Sequence, residues 1–105
     1  MVRFSYKGRE RLVRGPLSAF EDLPLEKQEV FKSIKEIIVD LTGKKIQAYV
    51  YGSYLHGLWD DESDYDVIIR NLGSIQGIDE LIKEKLGVRV NIVFLDAELS
   101  SISIP

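Results

Sequence analysis

The chain has 105 residues with a net charge of −3, and its 45% hydrophobic and 30% charged residues are typical of one folded domain and not of a disordered segment. It contains no cysteine, which excludes a disulfide framework and a thiolate metal site. Its apolar runs do not exceed four residues, and the basic start from Met1 to Lys7 lacks the apolar centre of a signal peptide, so we expect no membrane span and a cytoplasmic protein.

Positive charge is concentrated at the start of the chain. Residues 1–14 contain five basic residues and one acid, whereas the remainder contains nine basic and sixteen acidic residues. One interpretation is a basic arm, with Phe4 and Tyr6 interleaved, that binds nucleic acid or an acidic partner. We prefer an edge hairpin around Gly8 that keeps its charges in water. The chain then divides into an N-terminal extension, residues 1–23, and a domain, residues 24–105.

Hydrophobic residues at helical spacing predict two amphipathic helices. In the first, apolar residues recur from Val30 to Leu41 within a helix of roughly eighteen residues that Gly43 ends. The second runs from about Ile78 to Leu86 and ends at Gly87. Residues 47–51, 64–70 and 88–94 have the β-branched and aromatic composition of strands.

The first predicted strand runs directly into Gly52 and Ser53. Glycine allows a turn to approach a ligand closely, and backbone N–H groups at the start of a short helix, together with the Ser53 hydroxyl, favour a phosphate. After a spacer of ten residues, Asp64 and Asp66 lie two apart on the next predicted strand, where both face the same side. Two carboxylates so placed suit Mg²⁺ or Mn²⁺ that carries nucleotide phosphates.

These residues resemble the nucleotidyltransferase superfamily that includes DNA polymerase β, and most closely its small prokaryotic members, the minimal nucleotidyltransferases. The family pattern is Gly-Ser, a spacer of about ten residues and Asp-x-Asp on a strand, which Gly52-Ser53 and Asp64-Tyr65-Asp66 match. The resemblance implies an α+β fold with a small mixed sheet, two main helices on one face and an N-terminal strand or hairpin extension. It also implies that Gly52, Ser53, Asp64 and Asp66 bind the nucleotide, with both acids holding the metal and acting in catalysis.

The chain departs from the family at the third catalytic position. Family members place a third carboxylate on the strand after the second helix, where this chain has Asn91. That carboxylate helps to hold the metal and raises the reactivity of the attacking hydroxyl, which a neutral amide does less well. Asp96 is a poor replacement because it lies five residues further on with the opposite facing. Two interpretations stay open: a site that binds nucleotide without fast turnover, or an enzyme that takes its third ligand from water, substrate or a partner chain.

Several other polar and aromatic residues lie close to the motif. Asp60, Asp61 and Glu62 could reach into the site, but we interpret this run of acids as a solvated turn. That Tyr54 or Trp59 flanks the nucleotide is the less favoured interpretation of these two rings.

The resemblance implies an activity and a set of partners. The implied reaction is a Mg²⁺-dependent transfer of a nucleoside monophosphate, with AMP expected, from a nucleoside triphosphate such as ATP to a hydroxyl acceptor. Small members often work with a separate helical protein, in some cases as the antitoxin of a toxin–antitoxin pair that modifies its partner with AMP.

Two further expectations concern what completes the site and which other function the domain could have. Because eleven residues follow Phe94, we expect a protein partner or a homo-oligomer to complete the site; the closing residues form either an edge strand or a frayed tail. The alternative function is a catalytically impaired domain that acts as a nucleotide-binding or partner-binding module. Nucleic-acid binding is less favoured as the primary role.

Overall fold

The structure, a computed structural model, describes residues 3–6, 9–12, 15–70, 72–97 and 101–105. Its elements, in chain order, are β1 (Arg3–Tyr6), β2 (Arg9–Leu12), a 3₁₀ turn (Phe20–Asp22), α1 (Leu25–Thr42), β3 (Gln47–Tyr51), α2 (Gly52–His56), β4 (Tyr65–Arg70), α3 (Ile78–Leu86), β5 (Val90–Phe94) and β6 (Ile102–Ser103). Among the residues described, no helix has the length and apolar character that a bilayer crossing requires.

The central sheet has four strands in the order β5-β4-β3-β6. β3 is antiparallel to both of its neighbours, whereas β4 and β5 run parallel and are joined by α3, the kind of crossover that a parallel pair requires. β1 and β2 form a two-stranded antiparallel sheet of their own, with Tyr6 opposite Arg9.

One hydrophobic core lies between the two main helices and one face of the central sheet. α1 contributes buried side chains at helical spacing, and α3 contributes two more, while every second residue of the strands points into the same core. The main contributors are Phe31, Ile34, Ile38, Ala48, Val50, Val67, Ile69, Ile78, Ile82 and Ile92. The α+β fold with a small mixed sheet is confirmed, and its other face is left open at the strand ends.

The ends of α1 show why this segment folds as a helix. Pro24 precedes the first turn, and the Gln28 amide donates a hydrogen bond of 2.7 Å to the Leu23 carbonyl oxygen. At the other end Gly43 adopts a left-handed conformation, with φ of 67°, and its N–H donates to the Val39 carbonyl oxygen. The predicted end of this helix at Gly43, and that of α3 at Gly87, are confirmed.

Residues that precede α1 and residues that follow β5 also enter the core. Phe20 and Leu23, which precede α1, are buried with it, and Ile104, which follows β6, is 2% exposed. β6 pairs with β3, so the closing residues form an edge strand and not a frayed tail. The division of the chain at residue 23 stays a prediction.

Candidate functional site

Three neighbouring strands bring polar residues together on the open face of the sheet. Tyr51 on β3 lies opposite Asp66 on β4, and Asp66 lies beside Asn91 on β5. Side chains at in-register positions of adjacent strands share a face and lie within contact range. A pocket of about 220 Å³ opens here, lined by Tyr51, Gly52, Asp66, Val67, Ile68, Asn91 and Val93.

Gly52 places the turn after β3 against the carboxylate of Asp66. Its φ is +66°, and a Cβ built on it would overlap Asp66 Oδ2 and lie 2.8 Å from Asp66 Cγ. Both the left-handed conformation and the missing side chain are therefore required at this position. Gly52 and Asp66, which the resemblance assigns to one site, are therefore in close contact in the structure.

Ser53 occupies a different environment from the one expected for an exposed phosphate ligand. The residue is 5% exposed and lies within α2, which begins at Gly52. Its carbonyl oxygen accepts the backbone N–H of Leu58, so Ser53 helps to close the turn after α2. The structure thus brings Gly52 to the pocket and places Ser53 just behind it.

Asp64 lies at the rim of this open face. β4 begins at Tyr65, one residue later than the sequence indicates, and Tyr65 is buried between the two acids, so that Asp64 and Asp66 both lie toward the open side. Asp64 Oδ1 is 3.2 Å from Nε of Arg89, with side-chain exposures of 47% and 61%. One predicted acid therefore lines the pocket, and the other forms an ion pair beside it.

Asn91, where the resemblance led us to expect a third acid, lies beside Asp66 and is exposed. Within the described part of the chain, no group of three or more His, Cys, Asp and Glu side chains is placed to hold a metal ion. Among the residues that the structure describes, the oxygen donors near the pocket include the carboxylates of Asp64 and Asp66, the amide of Asn91 and the hydroxyl of Tyr51. Hard oxygen ligands of this kind fit Mg²⁺ or Mn²⁺, with fewer negative charges than three carboxylates would supply.

The acids of the preceding loop have structural partners. Asp60 Oδ1 accepts the backbone N–H of Glu62 at 2.9 Å and the hydroxyl of Ser63 at 3.3 Å. Asp61, whose side chain is 96% exposed, lies 3.9 Å from Lys27 Nζ. These contacts organise a turn at the surface, in agreement with the interpretation of a solvated turn.

Tyr54 and Trp59 are packing residues and do not line the pocket. Tyr54 is 1% exposed, and its ring stacks on Trp59 and on Tyr65 with centroids 5.2 and 5.0 Å apart. Burial strongly raises the pKa of Tyr54, and the neighbouring Tyr65 adds to this effect, so the hydroxyl stays neutral. The idea that either ring flanks a nucleotide is wrong, because both rings lie in the core beneath the motif.

Sequence reasoning missed three residues of the site, namely Tyr51, Arg89 and Val93. Tyr51 and Val93 are among the exposed large apolar residues, and both line the pocket. A signal for two of them was present: Arg89 and Val93 each lie two residues from Asn91, and residues two apart on a strand share a face. Tyr51 depends on the β3–β4 register, which the sequence does not show.

Comparison with known protein families gives a match over most of the chain. Residues 31–103 match a family model described as the nucleotidyltransferase domain. The matched region contains Gly52, Ser53, both acids and Asn91. No curated protein and no solved structure shows a significant match to the chain.

Proposed function

Because this chain belongs to the nucleotidyltransferase domain family, we propose that it transfers a nucleoside monophosphate, with AMP as the first candidate, from a nucleoside triphosphate to a hydroxyl acceptor on a partner protein. The acceptor oxygen forms a bond to the α-phosphorus, the bond to the β-phosphate breaks, and pyrophosphate leaves. The observation that carries this proposal is the contact between the Gly52 turn and the Asp66 carboxylate at the open pocket.

The chain's own residues have distinct parts in this proposal. The backbone at Gly52 holds the phosphates close to Asp66, because no side chain stands between them. Asp66 is the carboxylate among the described residues that line the pocket, so it is the group suited to accept the proton of the attacking hydroxyl. Asp64, Asp66 and Asn91 would hold Mg²⁺, which supplies neutralisation of phosphate charge. Catalysis then consists largely of positioning and charge neutralisation.

A calorimetric titration tests the donor site without knowledge of the acceptor. The chain is titrated with ATP, with and without Mg²⁺, beside Asp66→Asn and a control, Asp40→Asn, which changes an exposed acid on α1. We expect Mg²⁺-dependent binding in the original chain and in Asp40→Asn, and its loss in Asp66→Asn. Equal affinity in both variants would remove Asp66 from the site, and no binding of ATP, GTP, CTP or UTP would defeat the proposed donor site.

A second candidate function follows from Asn91. With an amide at the third position and Asp64 already paired with Arg89, the domain would bind nucleotide and serve as a nucleotide-binding or partner-binding module without turnover. Asn91→Asp separates the two candidates. If the module interpretation holds, the substitution creates or strongly raises nucleotide turnover, whereas an enzyme that already supplies its third ligand gains little.

A further inference from the structure

Arg89 and Asn91 lie two residues apart, and the strand register places each beside an acid. Tyr65 pairs with Val90 and Asp66 with Asn91 in the parallel β4–β5 ladder. One step before the ladder, the Tyr65 N–H donates to the Arg89 carbonyl oxygen at 2.9 Å, which sets Arg89 beside Asp64. The open face therefore carries an acid beside an amide and an acid beside a guanidinium.

The Arg89 guanidinium bridges Asp64 and the loop before β4. Its Nε is 3.2 Å from Asp64 Oδ1, and its Nη2 donates to the Glu62 carbonyl oxygen. Both side chains of the ion pair are about half exposed, so water screens the pair and little energy is needed to break it. The contact is therefore suited to exchange with another cation.

The charges around the pocket show how the ion pair between Asp64 and Arg89 affects metal binding. Asn91 leaves two carboxylates, and Arg89 offsets one of them, so the three charged side chains sum to −1. The lone pairs of Asp64 Oδ1 that accept the guanidinium are not available to a metal ion, and the positive charge of Arg89 opposes a cation that approaches the second oxygen. We propose that Arg89 competes with the divalent cation for Asp64, so that the free chain binds the metal weakly and Asp64 becomes a ligand only when Arg89 leaves it.

This inference rests on the proposed function only for the identity of the site as a metal site. It assigns a role to a residue that lies outside the Gly-Ser and Asp-x-Asp motif. It also gives a physical reason for weak metal binding beyond Asn91, since removal of Arg89 should strengthen binding while removal of an acid should weaken it.

The test measures Mn²⁺ binding without nucleotide, from the electron paramagnetic resonance signal of free Mn²⁺, at low ionic strength. Arg89→Gln removes the charge and keeps a polar side chain. We expect its Mn²⁺ affinity to be roughly three- to fivefold higher than that of the original chain, the size expected for release from an exposed ion pair. Lys45→Gln, an exposed residue before the opposite end of β3, is the control for loss of one positive charge and should change the affinity less than about 1.5-fold.

The substitution Arg89→Gln, made in an Asp64→Asn variant, shows whether the gain in Mn²⁺ affinity depends on Asp64. In that background, Arg89→Gln should add no affinity, because the oxygen for which Arg89 competes no longer carries charge. The proposal would be overturned if Arg89→Gln raised the Mn²⁺ affinity equally with and without Asp64→Asn, or if it left the affinity of the original chain unchanged. It would also be overturned if neither the original chain nor Arg89→Gln bound Mn²⁺. A joint fall in Mn²⁺ affinity and melting temperature would overturn it too, because it would make Arg89 a structural support for the loop.

A second measurement does not depend on the folding of a variant. The Nε–H resonance of Arg89 in the original chain should shift as Mg²⁺ is added, with the same midpoint as metal binding. An unmoved resonance at saturating Mg²⁺ would contradict the proposal. Because no nucleotide is present, failure to bind Mg²⁺–ATP would defeat the proposed function alone, whereas a negative Mn²⁺ result with intact Mg²⁺–ATP binding would defeat this inference alone.

Discussion

The contact between Gly52 and Asp66 shows how much of the site depends on one missing methyl group. Two conditions act on residue 52, namely a positive φ and the absence of space for a Cβ. Most glycines with positive φ in this chain meet only the first condition, and Gly43, with φ of +67° and nothing within 4 Å of its Cβ position, is one of them. The second condition connects Gly52 to function, because the atom that a side chain would displace is a carboxylate oxygen.

We expect Gly52→Ala to destabilise the chain more than Gly43→Ala does. The two glycines have nearly equal φ values, so both substitutions add the cost of a left-handed alanine, about 1 kcal/mol. Gly52→Ala adds an overlap with Asp66, for a total of about 3 kcal/mol. Urea unfolding of the two variants measures the difference. Equal losses would show that Asp66 moves aside without cost, and that the close approach contributes nothing to the site.

At the scale of elements, the parts of the fold that could be predicted are those with a local signal. α1 and α3 were predicted because apolar residues recur at helical spacing and a glycine ends each helix. The 3₁₀ turn was not predicted, and the sequence left the closing residues open between an edge strand and a frayed tail, because three and two residues are too few to show a period. The strand order and the pairing of Asp64 with Arg89 depend on contacts between residues far apart in sequence, which no local pattern records.

The same distinction applies to the site. The Gly-Ser and Asp-x-Asp motif located its centre, because both halves are contiguous in sequence. The position of Asn91 beside Asp66 became certain only with the parallel register of β4 and β5. Burial of Ser53, Tyr54 and Trp59 depends on tertiary packing that no local pattern records. Tyr54 packs on Phe31 of α1, on Tyr65 of β4 and on Trp59.

β5 provides a prediction about pH at the scale of an element. Asp79, near the start of α3, accepts the backbone N–H of Ile92 at 3.3 Å. Partial burial raises the pKa of Asp79 above its usual 3.8, with a smaller contribution from Glu80, against the lowering effect of the hydrogen bond. Since the folded pKa is the higher one, the contribution of Asp79 to stability is complete below pH 3.8 and is lost as pH rises through the folded pKa.

Asp79→Asn should therefore change how stability depends on pH. The amide keeps an oxygen acceptor for the Ile92 N–H but does not ionise. The stability of the original chain minus that of the variant should fall as pH rises from below 3.8, as measured by urea unfolding over a pH series. Glu84→Gln, an exposed residue of the same helix, is the control for loss of one negative charge. A difference that rises with pH would mean that the hydrogen bond outweighs burial.

At the scale of the whole molecule, residues before α1 and after β5 join the same core, and the closing residues support the strand that leads to Gly52. The Ser101 hydroxyl donates to the Val50 carbonyl oxygen at 2.7 Å, and the Ile104 N–H donates to that of Ala48 at 2.8 Å. Lys35 on α1 donates to the Ile104 carbonyl oxygen at 3.0 Å. β3, which ends at Tyr51 directly before Gly52, is therefore an inner strand because of these closing residues.

Ile104→Ala should accordingly lower the free energy of unfolding strongly, although Ile104 lies outside the Gly-Ser and Asp-x-Asp motif. Ile104 is 2% exposed, and truncation of a buried isoleucine to alanine costs about 3 kcal/mol through lost burial and the cavity left behind. Ser103→Ala, one residue away on the exposed face, should stay within about 0.5 kcal/mol. Thermal and urea unfolding measure both variants. If Ile104→Ala were as mild as its neighbour, the closing residues would be dispensable for the core, and β3 would keep the position of Gly52 without them.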